Sequence, residues 1–143
     1  MKKHRLTLLI VLLASFSFIT SCELDPVDID NDDLRNDYVG EWKFTESAGL
    51  KSTESQTYIV SITKDLSDEG QIKLENFANP GVSYATVSAL ITTSQIQVSE
   101  QTLPNGWVVE GVGKGNANGA MTWTYSIIAG GDKEYFSATA VKQ

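Results

Sequence analysis

Two residues of this 143-residue chain carry chemistry that no other position duplicates: Cys22, its one cysteine, and His4, its one histidine. Nucleophilic sites of the Ser-His-Asp or Cys-His kind need an imidazole beside the attacking atom, and zinc and copper sites are built from imidazole and thiolate. His4 sits in the basic stretch Met1-Lys2-Lys3-His4-Arg5, ahead of an apolar run from Leu6 to Ile19. A chain processed after that run keeps no histidine, and carboxylates, hydroxyls and lysines are what remain for catalysis. Pairs drawn from Glu41, Glu46, Glu75, Glu100, Glu110 and Glu134 are the material for acid-base work on a glycoside. Any acidic β-rich domain offers such pairs, so the composition leans away from an enzyme and assigns no catalytic residue.

Three further motifs lack parts that their chemistry needs. Asp28, Asp30 and Asp32 have the spacing of the first ligands of a calcium loop, but that loop wants glycine at its sixth position and glutamate at its twelfth, where this chain has Asp33 and Val39. Gly111-Val112-Gly113-Lys114-Gly115-Asn116 lacks the Ser or Thr after lysine and the helix behind it that a phosphate loop requires. Its glycines are expected to relieve crowding where a strand bends. Gly81-Val82-Ser83-Tyr84-Ala85 falls one residue short of a nucleophile elbow and has no histidine to serve it. No metal and no cofactor is implied.

The basic start and the apolar run have the form of a secretory signal. The run is shorter than the ~20 residues that span a bilayer, and acidic chain comes directly after it. At its end Ile19-Thr20-Ser21-Cys22 resembles the lipobox of bacterial lipoproteins. That resemblance implies cleavage before Cys22, lipidation of its thiol and anchoring in a membrane, since two or three acyl chains make a stable anchor where one is marginal. A single cysteine also excludes an intramolecular disulfide. The acidic residues just after Cys22 resemble surface-export signals of Bacteroidota-type lipoproteins, which implies an outer-membrane lipoprotein facing the cell surface or the periplasm. Loss of residues 1–21 removes Lys2, Lys3 and Arg5, three of eleven basic residues, and leaves eight against eighteen acidic ones, a net charge of −10. Phosphate binding needs a basic face, so nucleic acid is excluded as a partner. A protein partner is not identified.

Any functional side chains must be positioned by the chain beyond Cys22. Residues 22–37 hold Glu23, Asp25, Asp28, Asp30, Asp32, Asp33 and Asp37 against Arg35 alone, the composition of a spacer, with a short helical turn expected near Asp32 to Asp37. Fully extended, it would reach about 50 Å. From Tyr38 the period becomes two. Strands are expected at Glu41–Glu46, Gln56–Lys64, Gln71–Phe77, Ser83–Ile91, Gln95–Thr102, Trp107–Lys114, Ala120–Ile128 and Glu134–Lys142. Turn formers separate them, including Asn79-Pro80-Gly81, Pro104-Asn105-Gly106, Asn118-Gly119 and Gly130-Gly131-Asp132. Eight short strands with short connections predict an all-β, antiparallel up-and-down meander over residues 38–143, closed into a small barrel so that no edge is left open. An open two-sheet sandwich is the alternative.

The domain opens with Asp37-Tyr38-Val39-Gly40-Glu41-Trp42, which resembles the aromatic-x-Gly-x-Trp start of lipocalins and other calycins. The wider chain, from Gly40-Glu41-Trp42-Lys43-Phe44-Thr45-Glu46 through to Ser137-Ala138-Thr139-Ala140-Val141-Lys142, is also similar in general pattern to small lipocalin-like lipoproteins of the Bacteroidota. The arginine that packs on the motif tryptophan in lipocalins has no counterpart, because no arginine comes after Arg35. The resemblance implies a barrel that binds a small hydrophobic or amphipathic ligand such as a lipid. Trp42, Tyr58, Trp107, Trp123 and Tyr125 are the candidate ligand-binding aromatics, Trp107 at the rim after its Pro-Asn-Gly turn. The same aromatics equally suit a plain core, which would make the protein a non-catalytic protein- or glycan-interaction module. A hydrolase built on carboxylates alone is the third reading.

Overall fold

The computed structural model describes residues 33–47, 55–83, 85–115 and 119–143. The expected signal over residues 1–21, Cys22, and the spacer as far as Asp32, with its three-aspartate motif, lie outside the described residues, as do Tyr84 and Asn116. Eight strands form: β1 Gly40–Glu46, β2 Thr57–Lys64, β3 Gln71–Glu75, β4 Thr86–Ile91, β5 Ile96–Thr102, β6 Val108–Gly115, β7 Ala120–Ala129 and β8 Asp132–Lys142. Each pairs antiparallel with its successor, and β8 returns to β1 with Trp42 opposite Lys142 and Glu46 opposite Ala138. The barrel is closed, and the sandwich alternative falls.

Alternation in sequence becomes inside and outside in space. Trp42 and Phe44 of β1, Tyr58, Val60 and Ile62 of β2, and Met121, Trp123, Tyr125 and Ile127 of β7 are all buried, while the residues between them largely face outward. The β7–β8 hairpin closes on Gly130 and Gly131, at φ +64° and +96° between the paired Ala129 and Asp132. Both residues of this two-residue loop take a left-handed conformation that glycine adopts without penalty, matching the twist of the strands.

Two departures from strict alternation shape the molecule. β3 ends at Glu75 rather than Phe77, and β4 begins at Thr86 rather than Ser83, because Asn76, Ala78 and Asn79 adopt φ of 65°, 64° and 45°. The turn holds itself against β2 by a bond from Asn76 Nδ2 to the carbonyl of Ile59 at 2.8 Å. It also drives Phe77 into the barrel, where its ring meets Phe44 edge-on at 6.4 Å and lies 5.2 Å from Trp123 and 5.1 Å from Tyr125.

The second departure is in β5, whose register against β6 shifts between Val98 and Gln101. A bulge of this kind bends a strand. On its other side β5 keeps only the pairs Leu90↔Gln97 and Ile91↔Ile96 with β4. Past them, the side chain of Gln101 completes the seam: Ser88 N–H donates to its Oε1 at 2.9 Å, and its Nε2 donates to the Ser88 carbonyl at 2.6 Å.

Residues 33–37, the last of the expected spacer, are fastened to the barrel. Asp33 caps a 3-10 helix, Leu34–Asp37, by accepting from the Arg35 amide. The Arg35 guanidinium pairs with Asp33 and donates to the carbonyls of Asp65 and Asp68, both at 3.1 Å. Lys64 also reaches Asp33, at 2.9 Å. The bond from Arg35, reinforced by Lys64, holds the Asp33 carboxyl well below the usual carboxylate range.

Candidate binding site

The five candidate aromatics do not converge on one open surface. Trp42, Tyr58, Trp123 and Tyr125 are buried members of the core, and Trp107 is half-buried and packed against it. Phe44 links much of this set, stacked on Tyr58 at 5.6 Å and tilted against Trp123 at 5.6 Å. Room for these rings comes from β6. A Cβ on Gly111 would lie 2.6 Å from Tyr125 Cβ, and one on Gly113 would collide with the indole of Trp123. Two of the three glycines considered for a phosphate loop, Gly111 and Gly113, are therefore relieving crowding inside the wall.

Two polar features sit within this core. Glu46, at the end of β1, is the one buried residue among the six glutamates considered for acid-base pairs. Its Oε1 accepts from Tyr58 at 3.1 Å and from Tyr125, and the two phenol oxygens lie 3.0 Å apart. A carboxylate taken out of water needs such donors. Burial pushes both phenols far above the ordinary tyrosine range, with the neighbouring phenol and Glu46 modulating the shift. The second feature is Trp123 Nε1, a buried donor with no hydrogen-bond partner among the described residues.

Trp42 lies near the opposite end of the barrel. Its Nε1 donates to the Tyr38 carbonyl at 2.7 Å, and Lys142 Nζ stands 5.7 Å above its ring while also donating to the Asp37 carbonyl at 3.1 Å. The cation over this tryptophan is thus a lysine from β8, in a chain with no arginine beyond Arg35 to take that place. Tyr38, Met121 and Gly119 join Trp42 and Lys142 around a polar hollow of about 570 Å³.

A larger hollow, about 640 Å³, lies against the wall formed by β5 to β8. Its floor is a ladder of residues in register, Val98, Gly111, Tyr125 and Phe136. The side chains of this ladder belong to the inward set, so the floor seen from outside is main chain. Gln97, Val112, Thr124 and Ser137 form one rim, again in register. Glu110, Ser126 and Tyr135 form the other, continued by Ser99 and Glu100 at the β5 bulge.

This second rim is ordered by charge. Lys133 Nζ donates to Glu110 Oε1 at 2.6 Å, and Ser126 Oγ donates to the same oxygen at 3.1 Å. The Lys133 bond, helped by Ser126, draws the Glu110 carboxyl below its usual range, and Glu110 in turn raises the lysine. Tyr135 remains 73 % exposed, with Lys133 Nζ 5.7 Å from its ring centre. The pattern of Glu134-Tyr135-Phe136 held the signal for this site: two adjacent aromatics on a strand cannot both point inward, so one must face water. Among the described residues no cluster of three histidine, cysteine or acidic side chains is placed to hold a metal ion.

No protein-family pattern matches the chain, and no characterised protein matches it in sequence. Among solved structures it is similar to a redesigned β barrel, with 12 % identity and a TM-score of 0.53 over 78 % of this chain and 96 % of that one. At that identity the likeness is one of fold, and by fold this chain is a small, closed, antiparallel up-and-down β-barrel.

Proposed function

We propose that this protein is a lipid-anchored binding module of the cell envelope, held by Cys22, whose ligand lies against the outer wall of β5 to β8 rather than inside the barrel. One observation carries the choice between an interior and an exterior site. Four of the five aromatics expected to line an interior pocket are buried in the core, with Trp123 and Tyr125 packed directly on Phe77, while a hollow within the ~300–1,000 Å³ range of ligand sites opens on the wall. A non-catalytic role accords with a processed chain that has neither histidine nor free thiol. The spacer between Cys22 and residue 33 would hold the barrel clear of the membrane surface.

Cell fractionation tests the anchor. The wild-type chain should sediment with membranes and Cys22→Ser should appear in the soluble fraction; a mutant that stays with the membrane would sink the lipoprotein reading. Titration with a neutral, apolar fluorescent probe, 1-N-phenylnaphthylamine, tests the interior alternative to the exterior site. Saturable binding that is lost in Trp123→Phe and untouched by Tyr135→Ala would return the ligand to the barrel interior.

A further inference from the structure

We propose that the wall groove takes a neutral sugar chain, an assignment that rests on the exterior binding site and gives it a ligand class. Its rims offer what a sugar ring presents in complement. Tyr135 supplies a flat apolar face that the barrel itself leaves in water, because the adjacent Phe136 takes the inward position and stacks on Tyr125 at 5.4 Å. A sugar's C–H face packs on such a ring while its hydroxyls meet polar groups at the edge, and tyrosine suits a contact that is apolar on one side and wet on the other.

Apart from Glu100 at the end of the second rim, the polar groups are neutral or already neutralised. Gln97, Thr124 and Ser137 on one rim offer an amide and two hydroxyls. On the other rim, Glu110 is locked by Lys133 and Ser126, both through Oε1, so that neither bond uses Oε2. An acceptor fixed before binding loses little entropy when a ligand hydroxyl arrives.

Charge and ladder geometry argue against the other occupants. Glu100 beside the pair of Glu110 and Lys133, on a strongly acidic chain, repels an anionic ligand. A polycation would have to compete with Lys133 for Glu110. An extended peptide cannot add as a strand, because the floor residue Gly111 is already paired with Val98 on one side and Tyr125 on the other, and the closed barrel offers no edge there.

The test is calorimetric titration of the full chain in detergent with maltohexaose, cellohexaose, xylohexaose and mannohexaose, with hexagalacturonate and hexalysine as charged probes. Hydrogen exchange then locates the contact. At least one neutral hexasaccharide should bind saturably and slow exchange in residues 97–99, 110–112, 124–126 and 135–137. Tyr135→Ala should weaken it about tenfold, a loss of about 1.4 kcal/mol, at an unchanged melting temperature. Glu110→Gln should weaken it less. No binding of any neutral sugar at millimolar concentration, or binding indifferent to Tyr135→Ala, overturns the proposal. Protection of the groove by hexalysine or hexagalacturonate alone would overturn the neutral-sugar assignment while leaving the exterior binding site in place.

Discussion

At the scale of single residues, the barrel depends on places where a side chain is missing. Gly113 stands where the indole of Trp123 needs its space, so Gly113→Ala should destabilise the protein by about 1–3 kcal/mol through overpacking, read by urea denaturation. Trp123→Phe in the same chain should recover part of that loss, and a neutral Gly113→Ala would show that the ring has room to move. The buried phenols make a second residue-scale prediction. Tyr58 and Tyr125 have folded-state titrations raised above the ordinary value of about 10 by burial. The neutral form is thus favoured by folding: its stabilisation is whole below pH ~10 and is lost as pH rises beyond it. Tyrosinate absorbance from these two, of five tyrosines in the chain, should appear only with alkaline unfolding. The Tyr58→Phe, Tyr125→Phe double variant should not show that coupled rise, and early ionisation of either residue in the folded protein would contradict the buried cluster with Glu46.

Among elements, the least secured is the seam between β4 and β5, where two residue pairs and the amide of Gln101 join the strands. Gln101→Ala leaves the Ser88 N–H and C=O without that partner, a cost of about 1–3 kcal/mol for groups shielded from water. Exchange at the Ser88 amide should accelerate while that at Leu90 holds; equal protection in both proteins would mean that the bulged strand closes the seam by itself. The eight strands were legible because period-two alternation and glycine- or asparagine-bearing turns speak for themselves. The turn at Asn76 to Asn79 was not, since it places an alanine at φ 64°, a conformation that no glycine announces, and so Phe77 read as the end of a strand instead of a plug. The Ser99-Glu100-Gln101 run is polar throughout and gives no sign of a bulge. Trp42, Tyr58, Trp123 and Tyr125 were legible as inward residues, but alternation says nothing of whether an inward ring lines a space or fills it. The groove escaped for the converse reason: its rims are outward polar positions, which pattern reading assigns to solvent, and its floor exists only once four strands are in register.

For the molecule as a whole, the titratable groups define a stability profile with a broad top. Asp33, Asp65 and Glu110 are each held below their ordinary range, chiefly by hydrogen bonds from Arg35, Ser67 and Lys133 respectively. Folding therefore favours their charged forms, so their contribution is present above the unfolded carboxylate value of about 4 and disappears as pH falls through the lower folded values. Tyr58 and Tyr125 act in the opposite sense at the alkaline limit. Between these limits the barrel has nothing to titrate in the manner of an imidazole, because the chain's one histidine is His4 and residues 33–143 contain none. Melting temperature, tracked by near-ultraviolet circular dichroism, should accordingly be flat from about pH 5 to 9 and should decline below about pH 4. The decline should be gradual, since Asp33 and Glu110 keep contact with water and protonation also relieves repulsion in a chain with a large acidic excess. Arg35→Ala should shift the acid limb upward by removing the partner that keeps Asp33 charged, with the alkaline limb unchanged. A step between pH 6 and 8 would require an acidic group or lysine displaced much further than any of these, and would overturn this profile.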